Sequence, residues 1–340
     1  VAELVAPSAE LATAYANAHA VAGVVPARRL GEAYLQKAIE ALRVRPDPVV
    51  ESYLLTLTGV YRLGCGQWNR AEEALERAFS LAQSLGFVRR TEEVAGALAE
   101  LAFLKGDLAT AIRHSTEQLE SGARGDAQTQ CWGLLGRAQA RIVLQDVEQA
   151  RKDIARAVAL LPTLGRPEQI WAYGLRARAA LYAGDLGAAT AAADHAGRRI
   201  AEAPPVAHYC LEAYAAVTEV RLAALSKERS GRARRRVEVA CRAQADASRI
   251  FPIALPRCLL HRGAFQRLSG DTVGATRTFR QALDRATALG MPYDMLVAHQ
   301  TLASLARETG TTSHEHTSRA DELAARLGID SVKPSIGWPE

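Results

Sequence analysis

Aromatic residues make up only 6% of this 340-residue chain. Strands draw on aromatic and β-branched side chains, so their scarcity beside abundant alanine argues against a sheet-rich fold and for packed helices. Cysteine is also sparse: Cys65, Cys131, Cys210, Cys241 and Cys258 form an odd, scattered set with no CxxC pair. Neither a disulfide framework nor a zinc ribbon is suggested, and a cytoplasmic location fits best. No run of about 18 apolar residues is available to span a bilayer, and no charged segment followed by an apolar one opens the chain as a secretory signal would. No membrane partner is expected. Both methionines, Met291 and Met295, lie far from Val1, so the chain reads as a piece of something longer.

The signatures of catalysis are missing too. No lysine follows a glycine, so there is no GxxxxGK[ST] phosphate loop, and HExxH, GxSxG and the kinase set are absent. Cys258 with His261, and His314 with His316, each offer two metal ligands where a closed site needs about four. Adjacent acids such as Glu72-Glu73 and Glu92-Glu93 diverge on a helix and read as solvated faces. The expectation is a chain that is not an enzyme and uses no cofactor or metal. A helical-toroid enzyme is the alternative from another class, and it would need closed ends with acids converging on one mouth.

Hydrophobic residues at 49% and charged residues at 23% provide for a folded core. The net charge of +5 is gathered mostly in Lys227 to Arg236, KERSGRARRR. Its functional readings are an acidic partner or nucleic acid, and its bland reading is a solvated loop; one loop is thin support for nucleic acid, which is not the expected partner.

The informative feature is a repeat, clearest in Trp171 to Ala196. Gly66, Gly106, Gln145, Gly184, Gly270 and Gly310 recur about every 40 residues, with a double interval between Gly184 and Gly270. Five residues after a marker come Ala71, Ala111, Ala150, Ala189 and Ala275; twelve after come Ala78, Gln118, Ala157, Ala196 and Ala282. Seven before come Gly59, Ala99, Ala138, Ala177, Gly263 and Ala303. Small residues at three fixed points mark where helices of a hairpin nearly touch, and such hairpins must stack to bury a core. The fold class is therefore all-α, a right-handed superhelical solenoid of about eight antiparallel hairpins. One solenoid accounts for residues 1–340. An insertion with a basic loop is expected at 222–236, its unit's alanine pair being Ala240 and Ala247, and a flexible tail at 331–340.

Thirteen residues before the markers runs a column of Tyr53, Glu93, Trp132, Trp171, Arg257 and Val297, which Tyr209 joins when Pro205 is aligned with Pro167. Gln139, Arg178 and Glu212 neighbour it on the first helices. Aromatic and arginine groups are common anchors of binding surfaces, so Tyr53, Trp132, Gln139, Trp171, Arg178, Tyr209, Glu212 and Arg257 are candidates for lining a concave groove that takes a protein or peptide. Packing between alanine-rich helices is the other reading of the aromatics.

The pattern resembles the tetratricopeptide repeat, best in GVYRLGCGQWNRAEEALERAF from Gly59 and GAFQRLSGDTVGATRTFRQAL from Gly263, although its units exceed that family's usual 34 residues. SAELATAYAN at Ser8, GDAQTQCWGLLGRAQ at Gly125, EQIWAYGLRARAALYAGD at Glu168 and ALGMPYDMLVAHQTLASLAR at Ala288 are similar to the C-terminal repeat arm of bacterial regulators that join an adenylate cyclase domain to a signal-transduction P-loop ATPase. That resemblance implies a sensor or docking arm with no catalytic residue of its own, relaying binding to an upstream catalytic or transcriptional domain. A stand-alone adaptor or peptide receptor is the alternative.

Overall fold

The computed structural model describes residues 7–25, 27–122, 126–308, 310 and 313–329. These hold sixteen α-helices and no strand, paired as eight hairpins: α1 (Ala9–Val24) with α2 (Arg28–Val44), α3 (Pro48–Gly64) with α4 (Trp68–Ser84), α5 (Val88–Lys105) with α6 (Leu108–Gly122), and α7 (Ala127–Val143) with α8 (Val147–Leu160). The second half runs α9 (Arg166–Tyr182) with α10 (Leu186–Glu202), α11 (Leu211–Glu228) with α12 (Gly231–Ile250), α13 (Leu255–Leu268) with α14 (Thr272–Leu289), and α15 (Pro292–Glu308) with α16 (His314–Leu327). The tail expected at 331–340 lies outside the described residues.

The markers work through the backbone. Gly66, Gly106, Gln145, Gly184, Gly270 and Gly310 all have φ between 63° and 89°, the left-handed conformation that ends a helix and turns the chain. Acceptors then restart it: Asp185 and Asp271 cap α10 and α14 by accepting from Ala188 and Gly274 backbone N–H. The alanine columns are buried where helices meet, with Ala71, Ala78, Ala150, Ala157, Ala189 and Ala196 at 0% exposure. A Cβ on Gly174 would stand 2.2 Å from Ala213 Cβ, so α9 and α11 touch nearly backbone to backbone. Gln118 is the one large side chain in the second alanine column. Its amide donates to the Glu92 carbonyl at 2.9 Å across Gly96, which leaves it room.

Two expectations need correction. Residues 222–236 are not a loop: 222–228 belong to α11 and 231–236 to α12, joined only by Arg229 and Ser230. Arg229, at φ 48°, is the missing marker, and Ser230 caps α12 by accepting from Ala233 N–H. Ala233, Ala240 and Ala247 are seven apart and all buried on one face, so an alanine pattern leaves the register open by a heptad. The pair Ala233 and Ala240 lies four and eleven residues after Arg229, within one residue of the usual spacing, and leaves about six extra residues between Tyr209 and the pair.

The second correction concerns reach. A stacked array suggests that each unit touches only its neighbours. Here the turns of the second and third hairpins also pack on hairpins far along the chain. Trp68 Nε1 donates to the Leu289 carbonyl. A Cβ on Gly66 would meet Leu289 Cδ2 at 2.5 Å, and one on Gly106 would meet Pro292 Cγ at 2.5 Å. Leu63, Leu101, Phe251 and Met291 consequently share one apolar cluster. The superhelix comes round upon itself and encloses its own axis.

Candidate functional site

An axial cavity of about 450 Å³ lies inside that enclosure, walled by the first helices α1 (through Ala20), α3, α5, α7 and α9 and by Phe251 after α12. Tyr53, Trp132, Gln139, Trp171 and Tyr209 line it, five of the eight side chains expected to face a groove. Tyr53, Trp132 and Trp171 converge because the column repeats at one offset from successive turns, while Gln139 stands one heptad further along α7 and Tyr209 enters from the short connector before α11. Trp171 is 4% exposed and also belongs to the core around Leu135 and Leu175, so packing and lining are one role rather than two. The Tyr209 ring lies 5.1 Å from that of Trp171 and 6.2 Å from that of Trp132, tilted to both.

Behind the aromatic wall Glu168 is 1% exposed and accepts three hydrogen bonds on one oxygen, from Gln128 Nε2 and Trp132 Nε1 at 3.0 Å and from Tyr209 Oη at 3.1 Å. That carboxylate fixes two of the rings. At the rim, Arg90 lies 4.7 Å above the Tyr53 ring while bonded to Glu93, and Arg89 lies 4.9 Å above Trp132 while held by Asp126, Gln128 and Thr129. His208, also lining the cavity, is pushed down to about 4 by burial and is neutral at ordinary pH.

The acid inside the cavity is Glu100. It sits one heptad after Glu93 on α5, at the offset that gives Gln139 on α7 and Arg178 on α9. Gln139 links two helices, accepting from Trp171 Nε1 at 2.9 Å and donating to Glu100 at 3.1 Å. Burial, with the nearby charge of Glu212 added, pushes Glu100 up to about 8, so it holds its proton at pH 7. Sequence reasoning followed the column to Gln139 and Arg178 and passed over Glu100, although the signal was there.

Arg178, Glu212 and Arg257 do not line the cavity. They form a buried ion network below it with Glu219, Asp294 and His261, built from the first helices of four successive hairpins. Arg178 meets Glu219 through two bonds of 2.9 and 3.1 Å and also binds Glu212; Arg257 Nε donates to Asp294 at 2.6 Å. Burial raises Glu219, but Arg178, His261 and Arg257 outweigh it and hold the carboxyl at about 2. Asp294 moves the other way, raised by burial in spite of Arg257. The physical reason for the misplacement is the hairpin rather than the offset: Gln139 and Arg178 hold the same place on their helices, as do Trp171 and Arg257, but from Arg178 onward these positions meet the next hairpin instead of the cavity. A hollow of about 20 Å³ between Glu100, Glu212, Arg257 and Asp294 joins the two regions, room for about one water.

The other sequence candidates stay separate. His261 Nδ1 is 2.8 Å from Gln244, and His316 pairs with His299 at 2.9 Å. Among the described residues no three His, Cys, Asp or Glu side chains are placed to hold a metal, and no helix is long and apolar enough to cross a membrane.

No family model matches the chain, and no curated protein matches it. Solved structures do. The crystal structure of a Rap protein complexed with Competence and Sporulation Factor superimposes with a TM-score of 0.65 at 14% identity, covering 88% of this chain and 79% of that one. The chain is a helical-repeat protein with that fold. A circular tandem repeat protein with novel repeat topology is aligned over 94% of this chain and 95% of its own, at 14% identity and a TM-score of 0.25.

Proposed function

We propose that this helical-repeat chain is a non-catalytic receptor that holds a short peptide or a segment of a protein partner in its axial cavity. The observation that carries the reading is the cavity itself. Its 450 Å³ falls within the range of sites that enclose small ligands, and its wall joins Trp132, Trp171, Tyr209 and Tyr53 to few polar groups, Glu100 and Gln139 among them. The Rap protein of similar fold was solved with Competence and Sporulation Factor bound, which supports a ligand-holding role for such an array. The binding reading is favoured over a toroid enzyme because Glu212, Glu219 and Asp294 are each engaged by an arginine instead of facing one another across an open mouth.

Because the second and third hairpins pack on the connectors near Phe251 and Leu289, a ligand that widens or tightens the cavity changes how distant turns meet. That is a route for relay to an attached signalling ATPase, cyclase or transcriptional domain. A stand-alone adaptor is the alternative. Short-peptide libraries titrated against tryptophan emission test binding: Trp132→Ala is expected to weaken a hit at least about tenfold with helicity unchanged, and Ala20→Phe, which fills the cavity, to abolish it. A hit indifferent to Ala20→Phe binds elsewhere and refutes the axial site. Nucleotide turnover by the parent protein, with and without the hit, tests the relay.

A further inference from the structure

A second hollow, of about 1360 Å³, lies between α10 and α12 with α11 as its floor, and shares only Ile250 with the axial cavity. The two walls pack on α11 and hardly on each other. The basic stretch of the sequence forms much of it. Along α12, Arg232, Arg235, Val239, Arg242, Asp246 and Arg249 recur at intervals of three and four and so share one face, with Val239 66% exposed among the arginines.

The acids of this groove are already occupied. Arg221 binds Asp194, Arg199 binds Glu202 at 2.9 Å, and Arg249 binds Asp246 at 2.9 Å. Arg198, Arg232, Arg235, Arg236 and Arg242 line it with no ion pair among the described residues. The floor repeats the message. Tyr214 and Arg221, one heptad apart on α11, are 3% and 7% exposed, and both Tyr214 Oη and Arg221 Nη1 are buried donors without an acceptor. Leaving such a donor unmet costs about 1–3 kcal/mol, so acceptors are what this groove lacks. The apolar part of the groove is Val217 of the floor with Ile200 of α10 and Ala240 and Ala243 of α12 beside it.

We propose that the α10–α12 groove is a second binding site, which takes an acidic amphipathic helix of a partner protein. The helix lays its apolar stripe on Val217, Ala243 and Val239 and turns its carboxylates to the arginines of α12. The 20 residues of α12 give a wall about 30 Å long, enough for several turns of helix. A nucleic-acid backbone uses the arginines but has no need of the apolar floor, so the helix is the better complement.

The test uses the full chain and a fluorescent peptide of about 18 residues with leucine at three- and four-residue spacing and glutamate elsewhere. A scrambled peptide of the same composition and a single-stranded oligonucleotide serve as controls. The patterned peptide is expected to bind, to weaken at least about tenfold between roughly 0.05 and 0.5 M salt, and to weaken at least about tenfold in Arg235→Glu/Arg242→Glu. Both substituted positions are exposed, so circular dichroism is expected to be unchanged. Ala20→Phe, which fills the axial cavity, leaves this binding intact. Equal binding of the scrambled peptide, indifference to the double reversal, or binding of the oligonucleotide in place of the peptide would each overturn the proposal.

Discussion

Replacing Glu100 with glutamine keeps the side chain's shape and its contact with Gln139 but removes its ionisation. The wild-type carboxyl loses its proton at about pH 4.5 in the unfolded chain and only at about 8 in the folded one. Between those values the folded protein binds a proton that the unfolded chain has released, so raising the pH favours unfolding. The stability tied to this group is complete below about 4.5 and is lost progressively up to about 8. Each unit of difference is worth about 1.4 kcal/mol, so the cost of keeping Glu100 is on the order of 3 kcal/mol by pH 7. Glu100→Gln is expected to be relatively more stable than wild type as pH rises, the gap growing by about 2–3 kcal/mol from pH 5 to pH 7. His19, His208 and His261, all lowered by burial, act in the opposite direction, but they are present in both proteins and cancel in the difference. Urea melts followed by tryptophan emission, compared at equal slope, give the gap, because Trp132 and Trp171 report on the hairpins that hold Glu100. A gap that stays flat from pH 5 to 8 would refute the protonated acid and the cavity electrostatics derived from it.

Three further perturbations probe the frame around the site. Gly174→Ala places a Cβ within 2.4 Å of the Ala213 Cα, and is expected to cost about 1–3 kcal/mol in a denaturant melt despite the favourable helix propensity of alanine. Arg178→Met strips Glu219 of its two-bond partner while Glu212 keeps only Arg257; a loss of about 3–5 kcal/mol at pH 7 is expected. That loss shrinks as pH falls through the risen Glu219 value, since the protonated acid no longer needs the cation, and melts at pH 4 and pH 7 check it. Trp68→Phe removes the bond to the Leu289 carbonyl and leaves the ring, so stability is expected to fall by about 1 kcal/mol, with faster hydrogen exchange around the α14–α15 turn.

The repeat was legible because it rests on local rules. A left-handed turn wants glycine, and a close helix crossing wants alanine, so Gly184, Ala189 and Ala196 announce a hairpin whatever surrounds it. Where the rule is weak the reading slipped: Arg229 fills a turn without being glycine, and the shared face of Ala233, Ala240 and Ala247 hid the register. The aromatic column was legible as a column, since Tyr53, Trp132 and Trp171 keep one offset and, with Tyr209, share one wall. Its depth was not, because Arg178, Glu212 and Arg257 lie at similar helical positions yet face neighbouring hairpins instead of open space.

The sequence by itself determined the number of hairpins, their small-residue seams and the face that carries the aromatic column, because each depends on residues within one unit or its neighbour. Only the tertiary structure decided that the coil returns on itself, through contacts such as Trp68 with Leu289 that span most of the chain. Small rotations between successive hairpins add up over eight units, and no single unit encodes their sum. That sum encloses the cavity, buries Glu100 deeply enough to keep its proton, and leaves Arg198, Arg232, Arg235, Arg236 and Arg242 lining the α10–α12 groove with no ion pair among the described residues.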